Sequence, residues 1–258
     1  MASASRAEDD RGEVARGCFV YAVVRAGMPE ARDAPAGLDD VPLRLVVEGD
    51  VAAVVNDVLL DRPPGRRADL MAYQRVLDHL AAQGPVVPVQ FGSMLLDDDD
   101  VRDGVLGPDE PRLVALLDDL EGRSQYQLRA TYVPGVPLTE ILSLDPTVAA
   151  LREQTKDRSE LESHADRVEL GRRVAAAMED LRAFDADVLL DAVLPFVVDH
   201  VIVLGTDLEG LATFSLLVDD ERVAELEAQL EELAEAVHER IRLALTGPSA
   251  PFDFVGGA

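Results

Sequence analysis

Residues 196–245 read FVVDHVIVLGTDLEGLATFSLLVDDERVAELEAQLEELAEAVHERIRLAL, and the period of their apolar positions changes along the way. The stretches 196–205 and 210–218 are rich in β-branched and aromatic residues and are parted by turn residues, so they read as two neighbouring strands. Asp219 then stands where an N-cap belongs, and Val223, Leu226, Leu230, Leu233 and Val237 recur at spacings of three and four. That is an amphipathic helix, and packing against its own sheet is the simplest use of its stripe, since two heptads are few for a coiled coil. Ile241, Leu243 and Leu245 follow with period two, the pattern of a strand with one buried face.

Working outward, Val168, Val174, Met178 and Leu181 mark an earlier helix, and YQLRATYV (126–133) an earlier strand. LREQTKDRSELES (151–163) is poor in apolar residues and reads as a flexible loop. The second half thus runs strand, helix, strand, strand, helix, strand, the split β-α-β order of ferredoxin-like domains. The first half repeats the plan with its first helix reduced to a loop. CFVYAVV begins a strand over 18–25, LRLVV and VAAVVNDV form a hairpin about Gly49, and Leu70, Tyr73, Leu77 and Leu80 mark a helix that leads into VVPVQFG. Two acid-led helices follow within 97–122. The expected fold is α+β, two tandem ferredoxin-like units with mainly antiparallel sheets. The expected divisions are a disordered leader 1–17, an N-terminal unit 18–124, a C-terminal unit 125–246 and a docked tail 247–258.

The chain has 258 residues, 48% of them hydrophobic, which suffices for real cores. Acids outnumber bases by 50 to 24, and the net charge of −26 repels nucleic acid phosphates and anionic lipid alike. Neither is an expected partner. No stretch is long and apolar enough to span a bilayer, and the charged leader is no signal peptide, so the expected location is cytoplasmic. Cys18 is the single cysteine, which excludes an internal disulfide and a thiolate cage.

No phosphate loop and no recognised nucleophile setting occurs in the sequence. His79, His164, His200 and His238 lie apart from one another, without the spacing of paired metal ligands. A calcium-loop pattern can be started at Asp99, placing Asp103, Gly104 and Glu110 at the fifth, sixth and twelfth positions. Val101 then occupies a ligand position, and the segment reads as a solvated helix N-terminus. No catalytic residue, cofactor or metal is expected.

Three stretches remain: VEGDVAAVV (47–55), the strand end with Pro88, Phe91 and Gly92, and the close TGPSAPFDF (246–254). Together they resemble the GvpF/GvpL family of gas vesicle proteins, whose first half carries Pro-X-X-Phe-Gly after a helix. Members typically close on Thr-Gly-Pro-Trp-Pro-Pro-Tyr-X-Phe. Here Thr246, Gly247, Pro248, Pro251 and Phe254 match that pattern, Phe252 replaces the tyrosine, and Ser249 and Ala250 replace tryptophan and proline. The resemblance implies a minor, non-enzymatic gas vesicle component. Such a component binds the hydrophobic shell protein GvpA, limits its aggregation, assists nucleation and assembly, and associates with other accessory Gvp proteins in the cytoplasm and at the vesicle. The alternative on the residues alone is a metabolite- or metal-binding enzyme using a cleft between two ferredoxin-like halves, with carboxylates such as those at 97–100. For the tail itself, the expectation is that Gly247 and Pro248 end the last strand and that Phe252 and Phe254 dock in an apolar groove between the halves.

Overall fold

The computed structural model describes residues 16–28 and 34–256. The expected leader therefore falls outside the described residues, except for Arg16 and Gly17, which already belong to the first strand. The chain forms two compact units: one holds the described residues up to Ser124 together with the tail from Pro248, the other Gln125–Gly247.

In the first unit, β1 (Arg16–Arg25) is buried along nearly its whole length. It pairs antiparallel with β3 (Val51–Leu59), which pairs in turn with β2 (Arg44–Glu48) through the turn at Gly49. On its other edge β1 receives two short strands, β4 (Val87–Pro88) and β5 (Met94–Leu95). One face of the sheet is covered by α1 (Arg67–Ala81), whose Ala72, Tyr73, Val76, Leu77 and Leu80 meet Phe19, Tyr21, Ala52 and Val54. Leu70, expected on that stripe, points outward at 49% exposure. α2 (Asp98–Val101), a wide turn Arg102–Leu106 and α3 (Glu110–Asp119) follow and pack against β1, β2 and β3. Burial on both faces explains why β1 is a continuous apolar run with no alternation. A buried polar knot pins the connection ahead of β2: the Tyr21 hydroxyl donates to Asn56 Oδ1 at 2.8 Å and accepts from Leu38 N–H at 2.7 Å.

The second unit contains β6 (Arg123–Tyr132), α4 (Val136–Leu144), α5 (Pro146–Lys156), α6 (Glu160–Val193), β7 (Asp199–Leu204), β8 (Gly210–Asp219), α7 (Val223–Val237) and β9 (Ile241–Ser249). Its sheet order is β7-β8-β6-β9, and that of the first unit is β2-β3-β1-β4. Numbered within each unit, both read second, third, first, fourth, so the two units share one plan. The core gathers Leu128, Tyr132, Met178, Leu189, Phe214 and Leu226 with their neighbours. A charged network at its rim ties β6, α4 and α6 to the turn ahead of β9. Arg240 holds Asp185 at 2.8 and 2.7 Å and Glu140 at 2.7 and 3.0 Å, and Tyr132 donates to Asp185 at 2.7 Å.

Two local expectations are corrected. The stretch 151–163 is no loop, because α5 runs through Lys156 and α6 begins at Glu160. Asp145 caps α5 by accepting from Thr147 and Val148 N–H, and Arg167 closes the link by donating to Thr155 O at 3.1 Å. Tertiary and capping contacts thus supply what the apolar pattern lacks. Val168, read as a core position of α6, is 58% exposed.

Candidate functional site

The residues of Pro-X-X-Phe-Gly sit where the chain leaves β1's edge and returns to it. Pro88 is buried opposite Ala22. Gln90–Ser93 then forms a turn, with Ser93 N–H donating to Gln90 O at 3.2 Å and Gly92 at φ +97. A glycine at the third position of such a turn supplies the positive φ that other residues resist. Phe91 is thereby aimed at α1, its ring centroid 5.2 Å from that of Tyr73.

The closing residues reach the same aromatic ring from the other end of the chain. Thr246, Gly247 and Pro248 all lie within β9, which continues to Ser249, so the expected break at Gly247 and Pro248 is corrected. Proline is tolerated in β9 because it is an edge strand, in which alternate N–H groups have no neighbouring strand to bond. Gly247 takes φ +147 over Tyr126, and a Cβ there would lie 2.6 Å from a ring carbon. Beyond it, Ala250, Pro251 and Val255 are the buried residues, Phe252 is 39% exposed and Phe254 is half-buried. The expectation that the two phenylalanines bury is corrected accordingly: the short turn Phe252–Phe254 presents the small residues inward. Ala250 joins the core formed by β1, β3 and α1, and the Phe252 centroid lies 6.2 Å from Tyr73. Arg112 of α3 clasps the end, donating to Val255 O at 3.2 Å and Gly256 O at 2.7 Å. Tyr73 is thus the point where two motifs far apart in sequence meet, and its hydroxyl donates to Val89 O in the first of them. Its helical spacing marked it as core, and nothing local marked it as a junction.

The acidic residues of 97–110 are occupied by the fold. Asp97 accepts from Asp99 and Asp100 N–H at 3.0 and 2.9 Å, capping α2, and Glu110 accepts from Asp50 N–H at 3.0 Å. Among the described residues no group of three or more His, Cys, Asp or Glu is placed to hold a metal ion. Cys18 is buried, with Arg44 donating to its sulfur at 3.1 Å. Burial pushes its thiol up despite Arg44, the reverse of what a nucleophilic cysteine requires.

The second unit carries a run of exposed apolar side chains on and beside β7. Val201, Val203 and Leu204 of β7 are 38%, 65% and 43% exposed, and Leu208 in the following turn is 64%. Phe184 and Val188 add an outward pair on α6. Beside the turn, a groove of about 720 Å³ has Val174, Met178 and Leu208 in its lining and Glu179, Asp207 and Glu209 among its acids. Arg182 holds that turn to α6 by donating to Gly210 O at 2.9 Å and to Asp207 O. Sequence periodicity gave these valines to a strand without revealing that the strand lies at an edge.

Among the described residues no helix is long and apolar enough to cross a membrane. Residues 17–256 match the family described as "Gas vesicle synthesis protein GvpL/GvpF". A "Gas vesicle protein F" from Streptomyces sp. (strain CB03234) is 32% identical over 240 residues, covering 92% of this chain and 98% of that protein. The crystal structure of GvpF from Anabaena sp. PCC7120 superposes with a TM-score of 0.75 at 17% identity, over 94% of this chain and 97% of its own. That of GvpF from Microcystis aeruginosa gives 0.76 at 16%, over 93% and 98%. The two structures bear out the α+β fold with its antiparallel sheets. With the family match spanning nearly every described residue, the chain belongs to the GvpL/GvpF family of gas vesicle proteins.

Proposed function

We propose that this chain is a minor gas vesicle component that binds the hydrophobic shell protein GvpA, limits its aggregation and assists nucleation and assembly, without catalysing a reaction. It works in the cytoplasm and at the growing vesicle, beside other accessory Gvp proteins, and touches neither nucleic acid nor lipid membrane. The observation that carries this reading is the run of exposed apolar side chains on and beside β7 in a chain of net charge −26. Exposed apolar patches mark interaction sites, and a strongly anionic carrier repels its own copies, so a bound aggregating subunit stays dispersed.

The test is light scattering of GvpA diluted from denaturant, with and without an equimolar amount of this protein, together with deletion of its gene in a vesicle-forming cell. The expected results are slower GvpA aggregation and loss of normal vesicles. Unchanged scattering together with normal vesicles would overturn the proposal.

A further inference from the structure

β7 is an end strand of its sheet, pairing among the described residues with β8 alone. Gly205 N–H donates to Leu211 O at 2.8 Å. Hydrogen-bonded pairs in an antiparallel ladder recur every second residue, so Val203 with Thr213 and Val201 with Ser215 are the bonded pairs. The backbone groups of His200, Ile202 and Leu204 therefore face away from β8. The Asp199 carboxylate accepts from His200 N–H at 2.8 Å, which leaves Ile202 and Leu204 as the open part of the edge.

Edges are commonly blunted by lysine, proline or a bulge, and Asp-His-Val-Ile-Val-Leu has neither lysine nor proline and a continuous register from Asp199 to Leu204. Its charges lie at the ends: Asp199 at the start, Asp207 and Glu209 just past the finish. None of the three is in an ion pair with a described residue. Antiparallel self-pairing would set Asp199 of one copy toward Asp207 and Glu209 of the other, adding local repulsion to that between two chains of −26 each. A second copy is thus a poor occupant, and an apolar strand with basic ends a good one.

We propose that the β7 edge adds an extended apolar segment bearing a basic residue near each end as a further strand of this sheet. The inference rests on the reading that the chain holds an aggregating hydrophobic subunit, and it names the surface and the recognition chemistry. Backbone pairing supplies affinity, Val203 and Leu204 meet the apolar side chains, and the end carboxylates select the flanks.

The probe is a fluorescent peptide of about eight residues, alternating Val and Thr with Arg at both ends, and its twin with Glu ends. Anisotropy with the full chain should show the Arg-ended peptide bound ~10-fold or more tighter at low salt. Leu204→Pro removes an outward N–H and Val203→Lys places a charge on the edge; each should weaken binding ~10-fold or more with circular dichroism unchanged. Glu209→Lys, at an exposed side chain outside the ladder, should narrow the preference for Arg ends. Equal binding of both peptides, or folded variants that bind like the wild type, would overturn the proposal. A wild-type dimer in sedimentation equilibrium that Val203→Lys dissociates would assign the edge to a second copy and overturn it as well. In the GvpA scattering assay, variants that protect as well as the wild type defeat the edge proposal while the function stands. A wild type that fails to protect while peptide selectivity holds defeats the functional reading and leaves the edge chemistry supported.

Discussion

Replacing Gly247 by alanine tests how the closing motif is built. Gly247 sits at φ +147, a conformation that L residues rarely adopt, and holding alanine there costs ~1–3 kcal/mol. The new methyl would also lie 2.6 Å from Tyr126 Cδ1 and 3.0 Å from Gln125 O. Tyr126 is 8% exposed and belongs to the core of the second unit, so its ring cannot swing into solvent freely. Overpacking of this kind adds ~1–3 kcal/mol, for a total of ~2–6 kcal/mol. Against a typical stability of ~5–15 kcal/mol this is a large fraction, and at ~2–4 °C per kcal/mol it lowers the melting temperature by roughly 4–24 °C. Gly92 provides the internal comparison: it has φ +97, but an added Cβ meets nothing within 4 Å. Gly92→Ala should therefore show the backbone cost alone, ~1–3 kcal/mol. Differential scanning calorimetry of the full chain and both variants separates the two effects. Equal destabilisation by Gly247→Ala and Gly92→Ala would refute the steric part of the reasoning, and a Gly247→Ala protein as stable as the wild type would refute all of it.

Ending the chain after Ser249 removes buried Ala250, Pro251 and Val255 and both carbonyls held by Arg112, so it should cost ~2–4 kcal/mol in urea titration; an unchanged midpoint would show that the tail docks without contributing. Asp69 accepts from Gly65 and Arg66 N–H at 3.1 and 3.0 Å, and these bonds, aided by Arg62, hold its carboxyl below the usual range. A depressed folded-state value means that its contribution is complete above the unfolded pKa of ~3.9 and is lost as pH falls through the folded one. Asp69→Asn should accordingly cost ~1–2 kcal/mol at pH 7, and the gap to the wild type should narrow as the pH falls below ~3.9 in pH-dependent urea melts; a gap constant with pH would contradict the assignment.

Periodicity alone determined the two α+β units, because a strand with one buried face and a helix with one apolar stripe impose different spacings on the same kinds of residue. It placed the β7–β8 hairpin, α7 and the start of β9 in order, and the stretches around Pro88, Phe91, Gly92 and Thr246–Phe254 carried the family resemblance. It misjudged 151–163, where Asp145 and Arg167 make helices out of a polar stretch, since capping bonds leave no apolar period to read. It also assigned the tail's docking to its largest side chains, whereas Ala250, Pro251 and Val255 go inward: which of several apolar residues is buried depends on the local turn and on the space left by β1 and α1. Only the folded chain brought Phe91 and Phe252 to one ring, Tyr73, because contacts between residues so far apart depend on how the sheet orders its strands. The same holds for β7. Valines alternating along a segment look alike in a central and an edge strand, and the difference is whether another strand lies beyond them, which is a property of sheet order and not of the segment.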